Sequence, residues 1–277
     1  MTQLVSIHGG HSGQFCTHAH DTLEAIVQAY IAHGFAWVGI TEHVPPATED
    51  FVYFDERDVG QDAVFLNARF ADYFAVGRQL QQKYADQIEL FIGCETETYT
   101  GSFDHIRQLV ATYQPDYLVG SVHHVDDFIF DVTHEGYNEA AAQHGGLEGL
   151  YCRYFDQQYE MIEELRPQVI GHFDYIRILD PNYQETLQKT AVWDKIMRNL
   201  RQIKAYGLIL DVNTKGLRKG HPEPYVSHPI LQEAIALGIP LVPGDDSHGV
   251  ADVGVDIKEG INYLKEAGAP TIWQKPC

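Results

Sequence analysis

Six short apolar runs in this chain each end where residues that can bind a metal ion begin. Apolar runs of this length, bounded by turn residues, predict buried strands. In barrels and open sheets of the α/β class, functional side chains lie at the carboxyl ends of parallel strands. Six ends that all carry ligands of borderline metals predict one multinuclear metal centre. The candidate ligands are His8 and His11, Glu42 and His43, Glu95, His123 and His124, His172, and Asp245, Asp246 and His248.

Helical spacing separates these runs. The first predicted helix starts after Asp21, interpreted as its N-cap, and Gly34 ends it. Further helices are predicted over residues 65–84, 103–113, 147–165, 186–206, 228–237 and 256–267. The polar segments 44–60 and 126–146 predict loops, the second of them a lid or an active-site loop, and 271–273 predicts a last strand.

About seven strand–helix units follow one another, which favours a parallel sheet because each parallel strand needs a crossover connection. The ligands at the strand ends favour a barrel over an open sheet. The sequence contains no Gly-rich phosphate loop and no internal repeat, and no linker divides it. We therefore predict an α/β fold that forms a single domain over residues 1–277.

Charge and cysteine usage restrict the class of protein. The formal net charge of −20 disfavours binding to nucleic acid or to anionic membranes, so we expect a small-molecule substrate. The four cysteines show no zinc-finger spacing, and neither a signal sequence nor a membrane span is recognisable, which predicts a cytoplasmic protein with reduced thiols. Cys16 and Cys94 lie near candidate ligands, but we interpret both as small buried side chains. The oligomeric state stays open.

An ordered set of motifs resembles the polymerase-and-histidinol-phosphatase (PHP) superfamily, and within it the histidinol-phosphate phosphatases. No single motif is decisive, but their order between about residues 8 and 254 is specific. The motifs are His11-Ser12-Gly13-Gln14-Phe15-Cys16-Thr17-His18-Ala19, Thr41-Glu42-His43, Gly93-Cys94-Glu95, Gly120-Ser121-Val122-His123, Gly171-His172-Phe173-Asp174, Asp211-Val212-Asn213-Thr214-Lys215-Gly216-Leu217-Arg218 and Gly244-Asp245-Asp246-Ser247-His248.

The resemblance implies a distorted (β/α)7 TIM-like barrel with a site for two to three divalent ions, usually zinc, manganese or iron. By motif matching, Glu95 bridges two ions, and Glu95, Asp246 and His248 are the expected catalytic residues. The implied ligands are His11 and Asp246 for one ion, His123 and His172 for the second, and His18, His43 and His248 for the third.

The first family motif, His-x-His, would fall on positions 9 and 11, but this chain has Gly9 and carries His8 one place earlier. In a regular strand His8 and His11 differ in parity and would point to opposite faces. We predict that His8 supplies the missing imidazole, because a bulge or a positive φ at Gly9 or Gly10 can redirect it. The alternative is that His8 points away and one ion loses a protein ligand.

This chemistry suits the hydrolysis of a phosphate monoester. Clustered divalent ions offset the repulsion between the phosphate and an anionic nucleophile. The resemblance implies a histidinol-phosphate phosphatase of histidine biosynthesis. The alternatives are a phosphatase or phosphodiesterase for another small ester and a non-catalytic metal-binding protein; an exonuclease is disfavoured by the charge.

Basic residues are scarce near the motifs, so those present are candidates for binding the phosphate. Arg218, with its neighbour Lys219, and Arg177 are predicted for this role, since an arginine binds phosphate through two hydrogen bonds. Asp174 is predicted to orient His172 or a substrate amine. We interpret His20, His33, His105, His144 and His228 as surface or structural residues, and leave His124, His134 and His221 undecided.

Overall fold

Strands and helices alternate along most of the chain in the computed structural model, which describes residues 2–277. The strands are β1 (Val5–Gly9), β2 (Trp37–Ile40), β3 (Glu89–Ile92), β4 (Cys94–Glu95), β5 (Leu118–Gly120), β6 (His124–Val125), β7 (Phe128–Ile129), β8 (Val169–Ile170), β9 (Ile209–Asn213) and β10 (Leu241–Gly244). The helices are α1 (Leu23–Ala32), α2 (Phe54–Asp58), α3 (Ala63–Lys83), α4 (Ser102–Tyr113), α5 (His134–Gln143), α6 (Leu147–Leu165), α7 (Tyr183–Leu187), α8 (Thr190–Tyr206), α9 (Lys215–Arg218), α10 (His228–Leu237) and α11 (Ile257–Glu266).

The parallel strands follow one another in chain order, as in a TIM-like barrel. They form a three-stranded sheet, β1-β2-β3, and a five-stranded sheet, β10-β9-β8-β5-β4. Because only Gly93 separates β3 from β4, these two strands share one position and the arrangement has seven strand positions. The prediction of an α/β, TIM-like architecture is confirmed.

The seam between β1 and β10 departs from a regular barrel. Within residues 2–277 no strand pairing joins these two strands. Instead, the Ser6 hydroxyl donates to Asp245 Oδ1 at 2.6 Å. The Asp246 N–H donates to the His8 carbonyl at 2.8 Å. Side chains and strand-end loops thus join the first strand to the last.

A layer of apolar side chains fills the barrel below the strand ends. Tyr117 spans the interior, and its hydroxyl donates to the Ile7 carbonyl at 2.5 Å. Gly39 makes room for it, since a Cβ at that position would lie 1.7 Å from the Tyr117 hydroxyl oxygen. The layer consists of Val5, Ile7, Trp37, Phe91, Tyr117, Val119, Val169, Ile209 and Val242. Polar chemistry is therefore confined to the carboxyl ends of the strands.

Several predicted boundaries are wrong. Thr22, not Asp21, is the N-cap of α1, because its side chain accepts a hydrogen bond from the Ala25 N–H. The predicted loop 44–60 contains a 3₁₀ turn and α2. The predicted lid or active-site loop 126–146 contains α5 and the turn and second strand, β7, of a hairpin that begins with β6. Residues 271–273 form no strand; the Trp273 indole instead donates to the Gln3 carbonyl at 2.8 Å. None of the helices described is both long and apolar enough to cross a membrane.

Candidate metal centre

Glu95 lies between two groups of histidines at the end of β4. Its Oε2 is 3.2 Å from His8 Nε2 and 3.2 Å from His43 Nδ1. Its Oε1 is 2.9 Å from His172 Nε2 and 3.4 Å from His123 Nε2. Burial alone would raise the pKa of Glu95, but the neighbouring His8, His43 and His123 hold it well below its usual value. The carboxylate is therefore ionised and faces two sets of nitrogen donors through two different oxygens.

An irregularity in β1 turns His8 toward Glu95. Ser6 pairs with Val38 and Gly9 pairs with Ile40, so three steps along β1 match two steps along β2. This is the extra residue of a β-bulge, which changes the parity of the side chains that follow. The next residue, Gly10, has a φ of +74°. The strand thus departs from regular geometry where the sequence predicted that it would.

Position 9 faces away from the histidines. A Cβ on Gly9 would lie 2.5 Å from the Tyr30 hydroxyl oxygen and 2.7 Å from Asp245 Oδ1. These groups belong to a buried network in which Tyr30 donates to Asp245 at 2.8 Å. A histidine at position 9 would therefore clash with this network rather than reach the site.

Asp211 and Asn213, on β9, hold His8 and Asp246 in place. Asp211 Oδ2 lies 2.9 Å from His8 Nδ1. Asn213 Nδ2 donates to Asp211 Oδ2 at 3.0 Å and to Asp246 Oδ2 at 3.2 Å. With Nδ1 engaged by a carboxylate, His8 presents Nε2 as an electron-pair donor. Asp211 and Asn213 belong to one of the family motifs, but the motif alone does not predict this role for them.

Glu97 is a second acidic residue that sequence analysis missed. Its Oε1 lies 3.1 Å from His123 Nδ1 and 3.5 Å from His43 Nδ1. Its Oε2 is 3.4 Å from His124 Nδ1, which places the undecided His124 beside the site. Burial would raise the pKa of Glu97, but His123 lowers it well below the usual value. The two-residue spacing from Glu95 was the available signal, because residues i and i+2 of an extended segment share a face.

A third cluster lies at the outer side of the site, around His18, His43 and His248. The donor atoms of these three histidines and of Cys16 all lie within 4.8 Å of one another. The rings of His18 and His248 are stacked with centroids 5.1 Å apart. The structure therefore brings together the three histidines that the resemblance assigns to one ion, and adds a thiol to them.

The donor set fits divalent metal ions. Four further combinations of potential ligands have the same close spacing: His8 with His11 and Asp246, His8 with Glu95 and His172, His11 with His43 and Glu95, and His43 with Glu97 and His123. Several buried ring nitrogens have no hydrogen-bond partner among residues 2–277, which is costly for a polar atom unless a ligand binds it. Those of the predicted ligands are His8 Nε2, both nitrogens of His11 and His43, and His172 Nδ1; both nitrogens of His124 and His221 Nε2 are in the same state.

A cavity of about 340 Å³ opens onto these ligands. Aromatic residues such as Phe51 and Tyr53 line it, and so do Lys215, Lys219 and Asp131. The residues of the predicted metal set that line it are His18, His43, Glu95, His123, His172, Asp246 and His248. Lys215 Nζ is 3.1 Å from Asp246 Oδ1.

The predicted substrate-binding residues Arg177 and Asp174 lie outside the lining of this cavity. Asp174 Oδ2 accepts from Arg177 Nε at 3.0 Å. The guanidinium is fully buried between the Tyr183 and Tyr225 rings, 4.6 and 4.5 Å from their centroids. It also donates to the Pro224 carbonyl at 2.7 Å. Asp174 thus orients Arg177, not His172.

Arg218 also lies outside the cavity lining, unlike its neighbour Lys219. Its guanidinium donates to the backbone carbonyls of Asp245 and Asp246, and NH1 is 3.5 Å from Asp252 Oδ1. These contacts support the loop that carries Asp246. The histidines interpreted as surface or structural are exposed or half-buried, as are the undecided His134 and His221.

This chain is similar to known proteins of one family over most of its length. Residues 9–215 match the model of the PHP domain. The protein named "Probable histidinol-phosphatase" from Schizosaccharomyces pombe is 36% identical over 267 residues, which cover 95% of this chain and 86% of that protein. The histidinol-phosphatase of Saccharomyces cerevisiae is 29% identical, with 95% of this chain and 92% of that protein covered.

A solved structure shares the fold. The crystal structure of histidinol phosphate phosphatase from Lactococcus lactis, complexed with zinc, L-histidinol and phosphate, has a TM-score of 0.73 to this chain. The two are 23% identical, and the match covers 96% of this chain and 94% of that chain.

Proposed function

This chain belongs to the PHP-domain family, and from that premise we propose that it is a metal-dependent phosphomonoesterase that converts L-histidinol phosphate into L-histidinol and phosphate in histidine biosynthesis. The observation that carries the proposal is the position of Glu95, whose two oxygens face separate groups of histidines. This arrangement suits a carboxylate that bridges two divalent ions. The names of the relatives support the choice of substrate.

Two to three zinc, manganese or iron ions are the proposed cofactors. The proposed ligands are His8, His11, His18, His43, Glu95, His123, His172, Asp246 and His248. Of these, Glu95, Asp246 and His248 are the proposed catalytic residues. Divalent ions bound there would polarise the phosphoryl oxygens and offset the negative charge of the phosphate. Asp211 and Glu97 fix the ring orientations of His8 and His123, so that each ring presents Nε2 to the centre.

Two lysines replace the arginines as the proposed phosphate-binding cations. Lys215 and Lys219 line the cavity, whereas the guanidinium groups of Arg177 and Arg218 are engaged in contacts elsewhere. An ammonium group acts on a phosphate as a point charge. Lys215 also lies 3.2 Å from His248 Nδ1, which keeps its charge beside the expected site of hydrolysis.

Asp131 is the proposed partner of the substrate's amino group. It lines the same cavity, and its Oδ1 is buried without a hydrogen-bond partner in the described part of the chain. L-histidinol phosphate combines an anionic phosphate with a cationic ammonium group. The lysines and metal ligands of the cavity would bind the phosphate, and the free carboxylate oxygen of Asp131 would bind the ammonium group.

A turnover screen tests the function. Protein depleted of metal and then reconstituted with zinc, manganese or iron is assayed for phosphate release from L-histidinol phosphate and from a panel of small phosphate esters. We expect the highest kcat/KM for L-histidinol phosphate and loss of turnover in the metal-free protein. Full activity without metal would rule the proposal out. An ester with a higher kcat/KM than L-histidinol phosphate would identify a different substrate.

Location in the cytoplasm and a single domain over 1–277 stay predictions.

A further inference from the structure

Cys16 lies in the cluster with His18, His43 and His248, although the spacing of the four cysteines in the sequence does not predict a metal site. Its sulfur is 3.3 Å from His18 Nε2. The side chain is buried, yet it reaches the wall of the cavity that opens onto the histidines. Together with His18, His43 and His248 it forms the largest of the close groups of potential ligands, and the one that contains sulfur.

The distance between sulfur and nitrogen fits shared coordination. Zinc binds thiolate sulfur at about 2.3 Å and imidazole nitrogen at about 2.0 Å, so two such ligands of a tetrahedral ion lie roughly 3.5 Å apart. The 3.3 Å separation of Cys16 Sγ and His18 Nε2 is close to this edge length. A thiol that donates a hydrogen bond to an imidazole gives a similar distance, so the assignment depends also on the other donors around Cys16.

The imidazoles around Cys16 are oriented for a common ligand. Asp55 Oδ2 lies 3.6 Å from His18 Nδ1, on the side of the ring opposite Nε2. A carboxylate on one nitrogen of a histidine is the usual arrangement when the other nitrogen binds a metal. Both ring nitrogens of His43 are buried and have no hydrogen-bond partner among residues 2–277. His248 Nδ1 lies 3.0 Å from the Asp246 carbonyl, so Nε2 is the nitrogen available to a cation once Lys215 Nζ, which lies 3.4 Å from it, turns aside.

We propose that Cys16 is a metal ligand, and that its sulfur completes with His18, His43 and His248 a four-donor site for a borderline divalent cation such as zinc. On binding, the thiol gives up its proton to solvent and the sulfur forms a bond to the cation. The inference rests on the proposed function, because this site is the outer position of the same metal centre. It implies that the outer position favours zinc over manganese, since sulfur ligands select softer ions.

Cys94 provides the matched comparison. It is as well buried as Cys16 and precedes Glu95 directly, but it packs among apolar side chains and belongs to no close group of potential ligands. Burial raises the pKa of its thiol to about 12, with a further contribution from Glu95. A spectroscopic signal from metal-bound sulfur should therefore depend on Cys16 and not on Cys94.

Cobalt titration tests the assignment. Metal-free wild-type protein is titrated with Co²⁺ and its near-ultraviolet absorption is followed, while elemental analysis counts the bound ions. We expect an intense sulfur-to-cobalt charge-transfer band that is lost in Cys16→Ser and kept in Cys94→Ala and Cys152→Ser. The affinity for one cobalt ion should fall at least about tenfold in Cys16→Ser. A cobalt-saturated wild type without the band, or a Cys16→Ser variant that keeps it, would overturn the proposal.

A second measurement needs no variant and also separates this inference from the proposed function. Wild-type protein with and without Zn²⁺ is treated with iodoacetamide, and alkylation is quantified by peptide mass spectrometry. We expect bound Zn²⁺ to protect Cys16 while the half-buried Cys152 reacts at the same rate in both samples; equal reaction of Cys16 would contradict the proposal. If the cobalt-loaded protein is an active phosphatase but lacks the charge-transfer band, Cys16 is not a ligand and the proposed function still holds.

If the protein neither binds metal nor hydrolyses the substrate, the proposed function is wrong as well.

Discussion

His8 occupies a position in which its two ring nitrogens have different partners. Nδ1 faces Asp211, and Nε2 faces Glu95 without a hydrogen-bond partner of its own in the described chain. His8→Ala should weaken the binding of one metal ion by an order of magnitude or more, because it removes a ligand and takes one partner away from Asp211. Isothermal titration with Zn²⁺ measures this, with the exposed His33→Ala as control. Unchanged affinity and stoichiometry would show that His8 is not a ligand.

Gly9→His should not restore the family's usual motif. A side chain there would meet Tyr30 and Asp245 rather than the metal centre, so we expect a lower melting temperature and no gain in zinc affinity. Adding this change to His8→Ala tests the point directly. A double variant that regains the affinity lost in His8→Ala would contradict the assignment of the bulge.

Asp131 determines selectivity for the cationic end of the substrate in our proposal. Asp131→Asn should lower kcat/KM for L-histidinol phosphate by about 10- to 150-fold, which corresponds to about 1.5–3 kcal/mol for a hydrogen bond to a charged group. Hydrolysis of p-nitrophenyl phosphate, which has no amino group, should change little. Glu135→Gln, on the exposed start of α5, is the control for loss of a nearby negative charge. Equal losses with both substrates would assign Asp131 another role.

At the scale of secondary structure, α6 and α8 are joined by an ion-pair group that responds to pH. Asp156 accepts hydrogen bonds from Lys195 at 2.7 Å and from Arg198 at 2.8 Å. Partial burial alone would raise the pKa of Asp156, but these two cations lower it below its usual value. The ionised carboxylate therefore stabilises the fold above the unfolded-state pKa of about 4, and this contribution is lost as the pH falls through the lower folded-state pKa.

Asp156→Asn should therefore be less stable than the wild type at pH 6, and the difference should shrink toward zero as the pH falls below about 4. Urea unfolding at a series of pH values measures it. The exposed Asp104→Asn serves as control, since its pairing with Arg107 lies at the surface and is worth little. A stability difference independent of pH would show that packing, not charge, accounts for the effect.

Long amphipathic helices and buried strands could be predicted from sequence, because their periodicity repeats over many residues. The β6–β7 hairpin could not. Its turn places Asp126 and Asp127 at φ values of 46° and 69°, and turns with positive φ usually contain Asn or Gly. Each of its strands has only two residues, which is too short for a periodic pattern. Likewise, motifs predicted most of the residues that cluster at the strand ends. The contact of Glu97 with His123 and the position of Cys16 beside His43 and His248 join segments far apart in sequence, and they became visible only in the fold. The burial of Arg177 between two aromatic rings is equally invisible without the fold.

At the scale of the whole molecule, buried donors without partners link metal binding to stability. A ligand that binds only the folded state stabilises it, by about 4 kcal/mol when its concentration is a thousand times its Kd. Removing the metal with a chelator should thus lower the melting temperature by roughly 10 °C for a chain of this size. Differential scanning calorimetry before and after zinc is restored measures the effect, and Glu95→Gln should show a smaller one. A melting temperature indifferent to chelation would contradict a site that binds metal only in the folded state.

The seam between β1 and β10 has a consequence for how the protein is made. Ser6 and Asp245, which meet across it, are 239 positions apart, and the proposed ligands His8 and Asp246 lie on its two sides. During translation the first ligands leave the ribosome long before their counterparts exist. A nascent chain arrested before β10 would hold an incomplete set of donors, so loading with metal belongs to the last stage of synthesis or follows release.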